Sequence, residues 1–299
     1  MQLEHIILFS KIAREKSISK VANSSHISQP ALSQQMQRLE EEVGQKLFER
    51  SNRGIELTHA GVIMEKYATQ FMQVYNNFRQ DMDNLQANFG TVRIAATPVA
   101  ANYALPCSLF KVKHRFPDND FSLTDICSQE VVQQVLGGNA DIGFIVGRSN
   151  DPDLVCREAF SDKIYLVSKA DYHIPESLTL DELKKYPIIM LNESSGSYRL
   201  VCDYLEKQGQ NVQDLKVACS LGSTESVKSA VLAQHGLAFL PYMAIKKEIY
   251  QKQIKIINLK NFDLNCNVYS IHRPKEAVAN DALFSIIKYF ITTVSKSIC

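Results

Sequence analysis

The chain has no stretch of apolar residues near the roughly 18 that a membrane helix needs, which excludes a spanning segment among its 299 residues. Its start, MQLEHIILFSKIARE, meets an acidic residue early and offers no small-residue cleavage site, so it does not read as a signal peptide. A large charge imbalance is also missing. The net charge is +1, so the whole molecule carries no positive field, although a small basic module can be diluted by a neutral neighbour. Seven cysteines are scattered without a Cys-x-x-Cys pair, which argues against a zinc site or a disulfide framework and for buried, inert thiols in a reducing cytoplasm. Catalytic signatures are absent too. The seven histidines are dispersed, and there is no His-x-x-x-His, Gly-x-Ser-x-Gly or Walker-type loop. The reading is therefore a cytoplasmic non-enzyme with no catalytic residue, no metal and no cofactor. An apolar content of 45% is that of a well-cored globular protein.

The stretch ISKVANSSHISQPALSQQMQRL, residues 18–39, is the most informative part. Ile18, Val21 and Ala22 fall at helical spacing, Ser25-His26 breaks the run, and Ile27 reads as a buried plug. Ser28 is a good N-cap for a second helix, with Pro30 in the first turn where a missing N–H costs nothing. Leu32, Met36 and Leu39 give that helix one apolar side, and the other side shows Gln29, Ser33, Gln34, Gln37 and Arg38. Such amide, hydroxyl and guanidinium groups donate to phosphates and read base edges in a major groove. Two short helices with the second polar outward make a helix-turn-helix over about 18–37. The competing reading is an ordinary surface helix.

Around this pair the chain divides into three parts. Leu3, Ile6, Ile7, Phe9 and Ile12 stripe a first helix, Glu40-Glu41-Glu42 reads as a solvated acidic end, and Gly44 stops the second helix of the pair. Glu49 to Leu57 reads as a β-wing whose tip presents Arg53 to a phosphate or a minor groove, completing a winged domain over 1–58. From Thr58 one long helix follows, with Ala60, Met64, Tyr67, Phe71, Val74, Phe78, Met82, Leu85 and Phe89 on a narrow seam. Such a seam suits pairing with a second copy over 59–90, or packing on its own domain.

Beyond residue 90 strands alternate with helices, which predicts parallel sheets covered on both faces. A break near Ser161-Asp162 and a return near Asn267 divide 91–299 into one lobe over 91–161 and 267–299 and another over 162–266. Ligands in such folds bind beyond the carboxyl ends of strands. Hydroxyls mark four of those turns: Thr97-Pro98, Cys127-Ser128, Ser194 to Ser197, and Gly222-Ser223-Thr224. Helix N-termini with added hydroxyls suit a small anion or carboxylate, with Arg148 and Arg199 placed to assist. Each turn taken alone is also an ordinary N-cap.

The order of winged helix-turn-helix, long linker helix and two-lobed, doubly wound α/β domain like a periplasmic binding protein resembles the LysR-type bacterial transcriptional regulators along nearly the whole chain. The residues that carry the resemblance are SISKVANSSHISQPALSQQMQRLEEEVGQKLFERSNRGIELTHAG and GSTESVKSAVLAQHGLAFLP. It implies that Gln29, Pro30, Ser33 and Gln34 face double-stranded promoter DNA, with Arg53 on the wing. Thr97, Ser128, Ser195, Ser197 and Thr224 would face a small effector that changes promoter bending. It also implies homodimers paired through the linker helix, often assembled as homotetramers. Gln34 departs from the family, which commonly has arginine there, and this weakens the electrostatic anchor. The runner-up is a small-molecule-binding protein whose N-terminal helices only dimerise it. An enzyme comes third.

Overall fold

The computed structural model describes residues 2–51, 54–86, 90–278 and 280–296, which fall into two compact units, Met1–Leu85 and Gln86–Cys299. No helix among the described residues is long and apolar enough to cross a membrane.

The first unit contains α1 (Leu3–Glu15), α2 (Ile18–Ser24), α3 (Gln29–Val43), the hairpin β1 (Phe48–Ser51) and β2 (Gly54–Leu57), and α4 (His59–Gln86). Its boundaries follow from local chemistry. Ser17 and Ser28 accept hydrogen bonds from Lys20 N and Ala31 N at the starts of α2 and α3, and Gly44 closes α3 at φ 73°. Phe9, Ile12, Val21, Leu32, Leu39 and Leu47 form a fully buried core. Two expectations shift here. Leu8 and His5 take buried positions on α1 while Ile7 is half-buried, and Ile27 rests half-buried against the core instead of plugging it. Glu40 is not part of a solvated end. Its carboxylate accepts from Leu47 N at 2.9 Å, Phe48 N at 3.3 Å and Lys46 Nζ at 2.7 Å, stapling α3 to the wing. Burial alone would raise its pKa, but these donors outweigh burial and hold it below the ordinary glutamate value.

Thr58 begins α4 by accepting from Gly61 N at 3.0 Å and donating to Lys46 O at 2.6 Å. Gly61 is needed there, because a Cβ would stand 2.1 Å from the Leu47 carbonyl oxygen. The apolar seam of α4 then splits. Ala60 and Met64 pack on the winged core and Ala68 is buried, whereas Tyr67, Phe71, Val74, Phe78 and Met82 are 46–60% exposed. The Leu85 side chain and Phe89 lie outside the described residues.

The second unit holds two sheets. In chain order its elements are β3 (Thr91–Ala96), α5 (Leu105–Arg115), β4 (Asp120–Asp125), α6 (Ser128–Leu136), β5 (Ile142–Val146), β6 (Val155–Phe160), β7 (Lys163–Lys169) and β8 (Ser177–Leu178). They continue with α7 (Leu180–Leu183), β9 (Ile188–Leu191), α8 (Gly196–Lys207), β10 (Val217–Leu221), α9 (Thr224–Leu232) and β11 (Leu237–Pro241). The last are α10 (Tyr242–Tyr250), β12 (Ile254–Leu259), β13 (Leu264–Asn265), β14 (Val268–His272) and α11 (Asp281–Lys296). A π-helical stretch, Ala100–Ala104, precedes α5, where Pro106 has no N–H to offer the carbonyl four residues back.

The first sheet runs β4-β3-β5-β14-β6, and the second runs β10-β9-β11-β7-β12-β8 with β13 added to β7. Neither is wholly parallel. β3 lies parallel to β4 and β5, and β9 to β10 and β11, but β14 is antiparallel to β5 and β6, and β7 to β11, β12 and β13. β7 follows β6 after only Ser161 and Asp162, and β14 follows β13 after only Cys266 and Asn267, each short link passing from one sheet to the other. The two crossing segments meet where Asp162 and Cys266 exchange backbone hydrogen bonds. In the first lobe α11 covers the sheet, with Phe290 edge-on to Phe144 at 5.6 Å. The strand VCREAF and the helix YMAIKKEIY were not anticipated, being short and only weakly periodic.

Candidate nucleic-acid interface and effector cavity

The N-terminal turns of α3 carry the first site. Ser28, Gln29, Pro30, Gln34, Gln37 and Arg38 are exposed, and Ser33 is half-buried. Ser28 spends its hydroxyl on the cap, and Gln37 donates to Glu41 Oε1 at 3.0 Å. Gln29, Ser33 and Gln34 remain on the open face over the first turns, where backbone N–H groups also point outward. Arg53 lies outside the described residues.

The second site is a cavity of about 210 Å³ between the two lobes of the second unit. Thr97, Pro98, Asn102, Tyr103, Asp125 and Cys127 line it from one lobe, and Asn192, Ser194, Ser195, Ser197, Ser223, Thr224 and Glu225 from the other. The strand ends and helix starts converge there, as the turn chemistry suggested. The hydroxyls differ in how they are used. Ser223 is an ordinary cap, accepting from Ser226 N at 3.1 Å, and Ser194 donates to Asn192 Oδ1 at 2.8 Å. Ser195 occupies the N-cap of α8 without a side-chain cap bond. Thr97 is 4% exposed, and its Oγ1 is buried without a partner among the described residues.

Three of the expected helpers stand elsewhere. Ser128 is not on the wall, because its Oγ accepts from Val146 N at 3.2 Å and ties α6 to β5. Arg148 is exposed and off the wall, and Arg199 Nε donates to Glu193 O at 3.3 Å. Acidic groups were missed instead. Asp125 sits at the C-terminal end of β4, where ligands of such sheets bind, so its position was a readable signal. Tyr103 and Glu225 left none, since they meet only when the lobes do. The Tyr103 hydroxyl donates to Glu225, and Lys228 Nζ lies 2.8 Å from both Glu225 and Glu248 and 5.2 Å from the centre of the Tyr103 ring. Burial first, then the bond to Glu225, raises the Tyr103 pKa. Burial opposes ionisation of Glu225 and Lys228, but their mutual contacts prevail, keeping the carboxyl low and the ammonium high.

The thiols are less uniform than expected. Among the free cysteines of the described residues only Cys266 is buried, its pKa pushed up to about 12 by burial, while Cys219 is exposed. Cys107 is disulfide-bonded, against the expectation of thiols throughout.

Residues 3–62 match the bacterial regulatory helix-turn-helix of the lysR family, and residues 86–290 match the LysR substrate-binding domain. The chain belongs to the LysR family. It is a LysR-type DNA-binding transcriptional regulator with an effector-binding domain. A probable RuBisCO transcriptional regulator of Cyanidioschyzon merolae is 26% identical to this LysR regulator over 280 residues, 91% of this chain and 92% of that one. Among solved structures, full-length CbnR in complex with its target DNA shares the fold at a TM-score of 0.76 and 18% identity, covering 98% of this chain and 100% of that one. The regulatory domain of Synechocystis CcmR in complex with 2-PG matches at a TM-score of 0.60 and 16% identity, covering 68% of this chain and 97% of that one.

Proposed function

We propose that this LysR regulator reads a two-part promoter site in double-stranded DNA as a homodimer, assembled further into a homotetramer, and that a small effector with an anionic group controls its binding or bending of that site. It acts in the cytoplasm and binds its ligand without turning it over. The carrying observation is the open face of α3, where Gln29 and Gln34 are exposed at the helix start while Leu32, Met36 and Leu39 anchor the opposite side. The exposed stripe Tyr67, Phe71, Val74, Phe78 and Met82 supports pairing through α4, since a row of large apolar side chains left in water gains by meeting its own copy. The cavity, with hydroxyls at the starts of α8 and α9, supports the effector. CbnR with its target DNA and CcmR with 2-PG are related folds in the same two roles.

Footprinting of the full chain on the DNA upstream of its own gene tests the reading. Protection of two half-sites is expected, with Gln29→Ala losing about 1–3 kcal/mol of preference for that site over scrambled DNA. Equal binding of the unaltered chain to operator and scrambled sequence, at every salt concentration, would remove the base-reading role.

A further inference from the structure

The cavity wall is charged in one sign only. Asp125 and Glu225 line it, and among the described residues no lysine, arginine or histidine does. The two carboxylates are not equivalent. Glu225 is already matched by Lys228 at 2.8 Å and by the Tyr103 hydroxyl. Asp125 is exposed on the wall and takes no ion pair or side-chain hydrogen bond among the described residues.

The remainder of the wall prefers negative charge. α8 and α9 both begin there, and each offers unpaired N–H groups with the positive end of its dipole. Thr97 independently points to a ligand-receiving wall. It lines the cavity at 4% exposure, and its buried Oγ1 has no partner among the described residues, which is costly for a polar atom unless a ligand group meets it. Thr97 and Asp125 are close neighbours, because β3 and β4 pair in parallel with Ala96 beside Asp125. Adjacent strands are about 4.8 Å apart, so the two preferences lie within the reach of one small molecule.

A plain dianion would satisfy Thr97 and the helix starts but would bring its second charge toward Asp125. We infer that the effector is a zwitterion, a small α-amino acid whose carboxylate meets Thr97 and the helix starts and whose ammonium faces Asp125. This rests on the effector reading above and narrows its chemical class. A cavity of about 210 Å³ holds a metabolite of that size, below the roughly 300–1,000 Å³ typical of pockets for drug-sized ligands.

The test is calorimetric titration and thermal melting of the full chain with each common L-α-amino acid, with its N-acetyl derivative, and with succinate and inorganic phosphate as plain anions. At least one amino acid binds, and acetylation of its nitrogen weakens it. Asp125→Asn, a change at an exposed position that leaves the fold alone, weakens the amino acid by about 10–100-fold, the worth of a hydrogen bond to a charged group. The same variant strengthens succinate, because a repelling charge is gone. Absence of binding by every amino acid overturns the inference, as does an N-acetyl form that binds equally well or an Asp125→Asn variant with unchanged amino-acid affinity. If only plain anions bind and Thr97→Val weakens them, the zwitterion is wrong and the effector cavity stands. If ligands bind and Thr97→Val alters none of them, the effector cavity itself is misplaced.

Discussion

The hydroxyl of Tyr103, on the helical turn after β3, donates to the carboxylate of Glu225 at the start of α9, joining the two lobes at the wall of the cavity. Lys228 beneath this pair balances the carboxylate and lies against the Tyr103 ring. Tyr103 and Glu225 stand on opposite lobes, whereas Lys228 shares α9 with Glu225, so the Tyr103–Glu225 contact reports on the spacing of the lobes.

Tyr103→Phe should therefore loosen the junction while leaving Glu225 its bond to Lys228. The pair is half-exposed, so the loss in stability is about 1 kcal/mol. Urea denaturation of the variant checks this. An unchanged midpoint, together with unchanged effector affinity, would show that the contact does nothing to hold the lobes.

Glu40→Ala should cost about 1–3 kcal/mol, because two partly buried N–H groups lose their acceptor. A pH dependence follows from the same site. The folded pKa of Glu40 lies below the ordinary glutamate value, so its contribution is fully present above that ordinary value and is lost as the pH falls through the folded pKa. Denaturation profiles from neutral pH downward should show the unaltered chain losing more stability than the variant across that acid range. Parallel curves would contradict the staple.

Along α4, Phe71→Ala and Phe78→Ala should weaken self-association. Each removes a side chain worth about 1.5–3 kcal/mol if fully buried, and a two-fold interface counts every loss twice. Sedimentation across a concentration series reads the shift toward single chains. The fold of the winged unit should persist, since both side chains stand outside its core.

Gln34→Arg should raise affinity for DNA and steepen its salt dependence by about one phosphate contact, a slope change near 0.9 in log–log terms. Filter binding over a salt series measures it. An unchanged slope would place residue 34 away from the backbone.

Local chemistry made much of this molecule legible in the sequence alone. The caps at Ser28 and Gly44, the buried row Leu32, Met36 and Leu39, and the hairpin strands after Phe48 depend on residues a few positions apart, so spacing was sufficient to find them. The helix starts at Ser195 and Ser223 were readable for the same reason, and strand direction alone placed them at the cavity. Tertiary structure decided the rest, because it turns on partners far apart in the chain. Glu40 becomes a staple only when Leu47 and Phe48 fold back to it, and Ser128 accepts from Val146 N and stands off the cavity wall. The single sign of charge on the cavity wall likewise had no sequence signature: Asp125 and Glu225 are a hundred residues apart, and only the closing of one lobe on the other brings them to the same space.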